Sequence, residues 1–191
     1  MSDTDDIKVI QKILSGDVNS FEVLLNKYRD RIFRYVMNYI GNYEDAMELT
    51  QDILFAVYKS LPSFRGESKF STWLYSITAN HCKNYKKKAI KLKKVPLFVV
   101  DEYGNENELS IADDNQNIED NIIAKETMNI AMEELHKLPS DYKEIIILRD
   151  IEDYSYEEIA EILGIGLSNV KVRIHRGREM LTRCLSQRGV L

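Results

Sequence analysis

Apolar residues in the first part of the chain recur at three- and four-residue steps, the spacing of one face of an α-helix. Between residues 23 and 40 the stripe holds Val23, Leu24, Tyr28, Ile32, Tyr35, Val36 and Tyr39. Beyond Gly41 it resumes and ends at Pro62, with Ala46, Leu49, Ile53, Ala56 and Val57 as its members. A third helix is expected from about Ser71 to Lys88. The pattern therefore predicts an all-helical block that reaches to about residue 90.

A second helical block follows a stretch that has no periodic apolar face. That stretch is rich in Asn, Asp, Glu and Gly, a composition that favours a flexible linker. Helical spacing returns near Ile122 and breaks once, at Leu138–Pro139. We therefore predict an all-α fold of two small helical domains joined by an acidic linker, with residues 1–92 as the first domain, 93–121 as the linker and 122–191 as the second domain.

Charge is segregated along the chain, whose net charge is −5. Residues 80–94 contain seven Lys and no acid, residues 101–120 contain eight acids and no base, and residues 166–188 contain six Lys or Arg against one Glu. Blocks of alternating sign indicate separate surfaces for separate partners. The acidic N-terminus lacks an apolar signal core, no apolar run has the ~18–20 residues of a membrane span, and two separated cysteines indicate no disulfide framework or metal cluster. A cytoplasmic protein without a cofactor is expected.

The stretch "SYEEIAEILGIGLSNVKVRIHRGREML", residues 155–181, carries the signals of two short helices. Ser155 and Glu158 have the spacing of a capping box, Gly164 supplies a tight turn, and a new helix is expected around Ser168. Its buried seam would hold Val170, Ile174, Gly177 and Leu181, which leaves Lys171, Val172, Arg173, His175, Arg176 and Arg178 mostly outward. This spacing is typical of a DNA-binding helix-turn-helix, whose second helix enters the major groove. An ordinary helical hairpin with a solvated basic face is the alternative.

A second candidate surface lies between residues 64 and 88, where aromatic residues alternate with basic ones. Basic side chains can follow a phosphate backbone while aromatic faces accept unstacked bases. A glycine-containing loop between two helices can also enclose an extruded base. The alternative is that Phe70, Trp73 and Ile77 are core residues at helical spacing. Trp73 would be exposed only if the side of the helix with Leu74 and Ile77 is the buried one.

The segment "EDAMELTQDI", residues 44–53, places acidic and amide side chains around Leu49 and Ile53. A solvated helix face is one interpretation, and a docking surface for a basic partner is the other.

Two long segments together resemble the sigma-70 family, specifically its extracytoplasmic-function (ECF) group. They are "EDAMELTQDILFAVYKSLPSFRGESKFSTWLYSITANHCKNYKKK" and "LPSDYKEIIILRDIEDYSYEEIAEILGIGLSNVKVRIHRGREML", in the family's order. The resemblance implies an alternative promoter-specificity subunit of bacterial RNA polymerase, which is not an enzyme, with a role in an envelope stress response. A stand-alone helix-turn-helix regulator is the alternative function.

The resemblance also implies residue roles. Binding of core RNA polymerase falls to Asp45, Glu48, Leu49, Gln51, Asp52, Ile53 and Leu54. Contact with the −10 promoter element falls to Phe64, Arg65, Ser68, Lys69, Phe70, Trp73, Asn80, Lys83, Asn84, Lys87 and Lys88. Contact with the −35 element falls to Ser168, Asn169, Lys171, Val172, Arg173, His175, Arg176 and Arg178.

The implied partners are core RNA polymerase, promoter DNA and an anti-sigma factor, which in this family is commonly tethered to the membrane; no small-molecule substrate is implied. The chain departs from the family at four positions. Ala79-Asn80 replaces a frequent Arg-Asn pair, Asn84 replaces Asp, Val172 replaces a small hydroxyl residue and Gly177 replaces Ala. These departures prevent transfer of a relative's promoter sequence to this chain.

Overall fold

The structure is a computed structural model that describes residues 3–93 and 118–190. Most of the predicted linker lies outside these residues. The described part contains helices and turns and no strand, in agreement with the predicted all-α fold. The helices are α1 (Asp3–Leu14), α2 (Phe21–Ile40), α3 (Tyr43–Ser60), α4 (Phe70–Lys93), α5 (Ile118–Lys137), α6 (Ser140–Ile146), α7 (Tyr156–Leu163) and α8 (Leu167–Gln187).

Helix α1 was not predicted, because its apolar stripe consists mainly of Ile10 and Ile13 and is too short to recognise. Both side chains are buried, and the helix is held by contacts to α2. The Asp6 carboxylate is fully buried, 2.7 Å from Lys27 Nζ, and accepts a 2.6 Å hydrogen bond from the Tyr28 hydroxyl. Tertiary contacts of this kind, rather than intrinsic propensity, stabilise most short helices.

Helices α2 and α3 bury the predicted stripes, with the exceptions of Val23, which is exposed, and Ala56, which is half-buried. Gly41 ends α2 in the left-handed region, at φ 83°. The side chain of Asn42 then caps α3 by accepting a 3.0 Å hydrogen bond from the backbone N–H of Asp45. Helix α4 extends five residues beyond the expected end at Lys88, because the Lys-rich segment contains no helix breaker.

The second block begins at Ile118, four residues before the expected start, and the predicted break at Leu138–Pro139 is confirmed. Helix α6 continues into a π-helical turn, Ile147–Ile151. The six residues Lys143–Leu148 are all buried, although an amphipathic helix normally buries one face only. This segment is therefore covered on all sides.

Residues of both blocks bury this segment, because the two blocks pack against each other. The buried apolar residues of the described ranges form one continuous cluster. Helix α4 contacts α7, and α2 contacts α5 and the π-helical turn. At the centre of the contact the rings of Tyr75 on α4 and Tyr154 lie 4.9 Å apart.

Candidate nucleic-acid interface

The helix-turn-helix is built by local signals of the sequence. The Ser155 hydroxyl accepts from the Glu158 backbone N–H at 3.1 Å, and the Glu158 carboxylate accepts from the Ser155 backbone N–H at 2.9 Å. The predicted capping box is thus confirmed. Gly164 ends α7 with φ 64°, in the left-handed region that glycine adopts without strain. Helix α8 then starts at Leu167, one residue before the expected position.

The seam of α8 is the predicted one. Val170, Ile174 and Gly177 are buried, and Leu181 is half-buried against the core. A Cβ at Gly177 would lie 3.1 Å from Cγ1 of Ile146 on α6. The absence of a side chain at this position therefore lets α6 and α8 approach closely.

The opposite face of α8 is open to solvent. The exposed members of the predicted −35 set are Ser168, Asn169, Lys171, Val172, His175, Arg176 and Arg178. Arg173 is half-buried and pairs with Asp141 at 3.4 Å, and Arg178 forms a bidentate pair with Asp150. Among the residues that the structure describes, Lys171 and Arg176 have no ion-pair partner, so they are the cations most readily available to a ligand.

The aromatic part of the predicted −10 set lies at the start of α4. The ring of Phe64 lies 5.5 Å from that of Phe70 and 5.3 Å from that of Trp73. Phe70 is only 1% exposed, so its assignment as a base contact is wrong and it is a core residue. Phe64 and Trp73 are half-buried and rest on it. Because Leu74 is buried on the core side, Trp73 keeps part of its ring accessible.

The polar part of that set divides into open and paired side chains. Arg65, Asn80, Asn84, Lys87 and Lys88 are exposed, and Ser68 is half-buried. Lys69 Nζ lies 2.8 Å from the Glu158 carboxylate, and Lys83 Nζ lies 3.0 Å from the Glu144 carboxylate. Both carboxylates belong to the second block, and neither pair was predicted, because the partners are 89 and 61 positions apart in the chain.

The acidic face of α3 is exposed in the way that a docking surface requires. Glu48, Gln51 and Asp52 are exposed, Asp45 is half-buried, and Leu54 is half-buried beside the exposed ring of Phe55. Leu49 and Ile53 are 6% and 0% exposed, so their assignment as polymerase contacts is wrong. They face the core because they belong to the buried stripe of α3.

Glu144 is the most unusual ionisable group of this region. It is 1% exposed, and burial raises its pKa to about 7 although Lys83 lowers it. The charged or titratable groups that act on it, or on which it acts, are Lys83, Asp141, Arg173, Tyr35, Tyr39 and Cys82. The carboxylate form is therefore costly in the folded protein.

Glu144→Gln is expected to stabilise the protein at pH 8 by about 3 kcal/mol, because folding raises the pKa of Glu144 from 4.5 to about 7 and one pKa unit corresponds to ~1.4 kcal/mol. The folded-state pKa lies above the unfolded one, so wild-type stability falls as pH rises from about 4.5 to 7. The variant lacks this fall, and its advantage should vanish near pH 4, below the unfolded-state pKa. Urea unfolding at pH 4 to 8 measures the difference, and the exposed Glu161→Gln is the control. An advantage independent of pH would contradict the assignment.

Two further properties concern cofactors and membranes. Within residues 3–93 and 118–190, no group of three or more His, Cys, Asp or Glu side chains is placed to hold a metal ion. Among the described helices, none combines the length and apolar character needed to cross a membrane.

Comparison with known proteins gives matches over both blocks. Residues 24–91 match the family described as Sigma-70 region 2, and residues 128–181 match Sigma-70, region 4. The ECF RNA polymerase sigma-E factor of Haemophilus influenzae is 31% identical over 176 residues, 92% of this chain and 93% of that protein. The ECF RNA polymerase sigma factor SigW of Bacillus subtilis is 33% identical over 182 residues, 93% and 95% of the two chains.

A solved structure shares the fold. The sigma factor RpoE of Bartonella quintana, in complex with the anti-sigma factor NepR, matches with a TM-score of 0.66 at 21% identity. The match covers 87% of this chain and 96% of that one.

Proposed function

The chain belongs to the ECF family of RNA polymerase sigma factors, and we propose that it binds core RNA polymerase and directs promoter-specific transcription as an alternative sigma factor. The observation that carries the proposal is the combination of two cationic surfaces, on α4 and α8, with an acidic surface on α3. A stand-alone helix-turn-helix regulator would use α8 and leave the other two surfaces without a role. A role in an envelope stress response is part of the proposal.

Helix α8 is proposed to read the −35 element in the major groove. Lys171, Val172 and Arg176 point outward from the first three turns of α8, in the N-terminal half of the helix, the part of a recognition helix that reaches base edges. Arginine can bind guanine O6 and N7 together, and an apolar side chain such as Val172 can contact a thymine methyl group. Arg173 and Arg178 are proposed to bind DNA phosphates, which would replace the carboxylates with which they now pair. Ser168, Asn169 and His175 complete the surface.

The start of α4 is proposed to bind the −10 element. Phe64 and Trp73 offer ring faces on which an extruded base can stack, and Arg65, Ser68 and Lys69 lie in the preceding loop. The backbone of the melted strand would then follow the side chains Asn80, Lys83, Asn84, Lys87 and Lys88. Phe70 supports this surface from the core.

The acidic face of α3 is proposed to dock on core polymerase through Asp45, Glu48, Gln51 and Asp52. Leu54 adds an apolar contact, since it borders a shallow groove with Phe21, Phe55 and Tyr58. Leu49 and Ile53 hold the helix in position from inside.

The double variant Glu48→Lys/Asp52→Lys is expected to weaken binding of core RNA polymerase at least tenfold, because like charges across an interface are repulsive by several kcal/mol. Binding is measured by fluorescence titration of labelled protein with core enzyme. Glu157→Lys/Glu161→Lys is the matched control, with the same charge change and spacing on the exposed face of α7. Equal weakening by both double variants would refute the docking assignment.

The remaining features of the proposal follow from the family. The first domain is proposed to span residues 1–92, the linker 93–121 and the second domain 122–191. The protein is proposed to act without catalysing a reaction, to bind no small-molecule substrate and to work in the cytoplasm. An anti-sigma factor is the proposed regulator, and it could hold the protein at the membrane.

A further inference from the structure

The contact between the two blocks uses cations that are also proposed to bind DNA. Lys69 pairs with Glu158 at 2.8 Å and Lys83 with Glu144 at 3.0 Å. Carboxylates and phosphates are anions that make the same kind of charge-assisted hydrogen bond with lysine. While these pairs exist, neither lysine can bind a phosphate of the −10 element.

Glu152 is a third carboxylate of the second block, and it lies between Glu144 and Glu158 in the sequence. Glu152 accepts a 2.6 Å hydrogen bond from the Tyr75 hydroxyl and lies 3.5 Å from Arg31. Its side chain is 3% exposed. The ring of Tyr75 also packs at a tilt against the ring of Tyr154, so Glu152 and Tyr154 together fix the second block on the first half of α4 and on α2.

The interface between the two blocks contains buried polar atoms without hydrogen-bond partners in the described part of the chain, as expected of a contact that can separate. The Tyr35 and Tyr39 hydroxyls and the Oε1 atom of Glu144 are buried and have no hydrogen-bond partner among the described residues. Buried polar atoms in a permanent core are nearly always paired. Lys143 is also buried here, where burial lowers its pKa to about 8, and it donates a 3.3 Å hydrogen bond to the Tyr39 carbonyl. Separation of the two blocks would return these groups to water.

The two candidate DNA surfaces differ in this arrangement. Lys69 and Lys83 are paired across the blocks, whereas Lys171 and Arg176 on α8 are exposed. We propose that the free protein closes on itself, so that carboxylates of the second block cover the Lys69–Lys83 part of the −10 surface while the −35 surface stays open. The inference rests on the proposed role of the two lysines in −10 binding.

Closure is tested with the Arg31–Glu152 pair, because neither residue is assigned to DNA or polymerase. Arg31→Glu and Glu152→Arg each place two like charges together at a site where the residue 152 side chain is buried and the residue 31 side chain is partly exposed, which should open the protein. The charge swap Arg31→Glu/Glu152→Arg should close it again. Small-angle X-ray scattering on the full chain should give a larger radius of gyration for both single variants and the wild-type value for the swap.

The covering of the −10 surface is tested with a fluorescein-labelled single-stranded oligonucleotide of random sequence. The open variants should bind it about tenfold more tightly, and the slope of log affinity against log salt should steepen by about 1.4, since two lysines become available. The charge swap should bind as the wild type does. Affinity for a random-sequence duplex should not change, because α8 is open throughout.

Each other result overturns a defined part of the inference. Single variants as compact as the wild type would refute closure through this pair. Expanded variants with unchanged single-strand affinity would refute the covering. Lys69→Ala and Lys83→Ala, added to an expanded variant, then test the −10 assignment of the two lysines. A lower affinity for the single-stranded oligonucleotide would support the assignment, and an unchanged affinity would refute it. If a single variant loses its helical circular dichroism, a folded and compact charge swap still supports the pair, and an unfolded swap refutes it.

Discussion

Arg176→Ala is expected to weaken binding of the holoenzyme to its promoters by about 5- to 150-fold, the ~1–3 kcal/mol that one bidentate arginine–guanine contact supplies. Arg176 is exposed on the outer face of α8, one turn beyond Val172. It has no ion-pair partner among the described residues, whereas Arg173 and Arg178 are held by Asp141 and Asp150. No existing pair must therefore be broken before Arg176 reaches a base.

Arg183→Ala is the matched control, since Arg183 is exposed on the same helix two turns further on. The loss should be measured by fluorescence anisotropy on promoters with each base substituted in turn across the −35 element. Arg176→Ala should lose affinity for the wild-type promoter and discriminate less at one position. A loss that is uniform over all sequences, or equal to that of Arg183→Ala, would instead assign Arg176 to phosphate contact.

Gly177→Leu is expected to destabilise the protein by about 2 to 3 kcal/mol, the usual cost of overfilling a packed contact. A Cβ alone would lie 3.1 Å from Cγ1 and 3.3 Å from Cδ1 of Ile146, and 3.5 Å from Cβ of Tyr142. The further atoms of leucine have no space, so α8 would have to move away from α6. Binding of the −35 element should fall with stability, because α6 supports the recognition helix.

Thr182→Leu places the same side chain at an exposed position of the same helix and should change stability by less than about 0.5 kcal/mol. Thermal and urea unfolding of both variants give the comparison. A Gly177→Leu protein as stable as the control would show that α6 and α8 are not in close contact.

The helix-turn-helix could be predicted from sequence because local signals determine it. The capping box at Ser155, the left-handed glycine at Gly164 and the seam through Val170 and Ile174 depend on residues within one or two turns. The buried stripes of α2 and α3 follow from periodicity in the same way. For Leu49 and Ile53 the periodicity was the better guide, since it placed them in the core.

Contacts between the two blocks could not be predicted, because they join residues far apart in the chain. Glu144, Glu152 and Glu158 occur in an amphipathic pattern that is equally consistent with solvent exposure. Their pairing with α2 and α4 depends on how the blocks are oriented. The burial of all residues from Lys143 to Leu148 has the same origin, and its only sign in the sequence is the unbroken apolar run at 145–148.

The central claim, that the chain is a sigma factor, is tested most directly by transcription in vitro from a promoter library. Bacterial core RNA polymerase is supplied with and without the protein, and the 5′ ends of the transcripts are sequenced. We expect promoter-specific transcripts only when both are present, with two shared sequence elements upstream of the start sites. Specific duplex binding by the protein alone, without promoter-specific transcripts in the presence of core polymerase, would contradict the account and favour a stand-alone regulator.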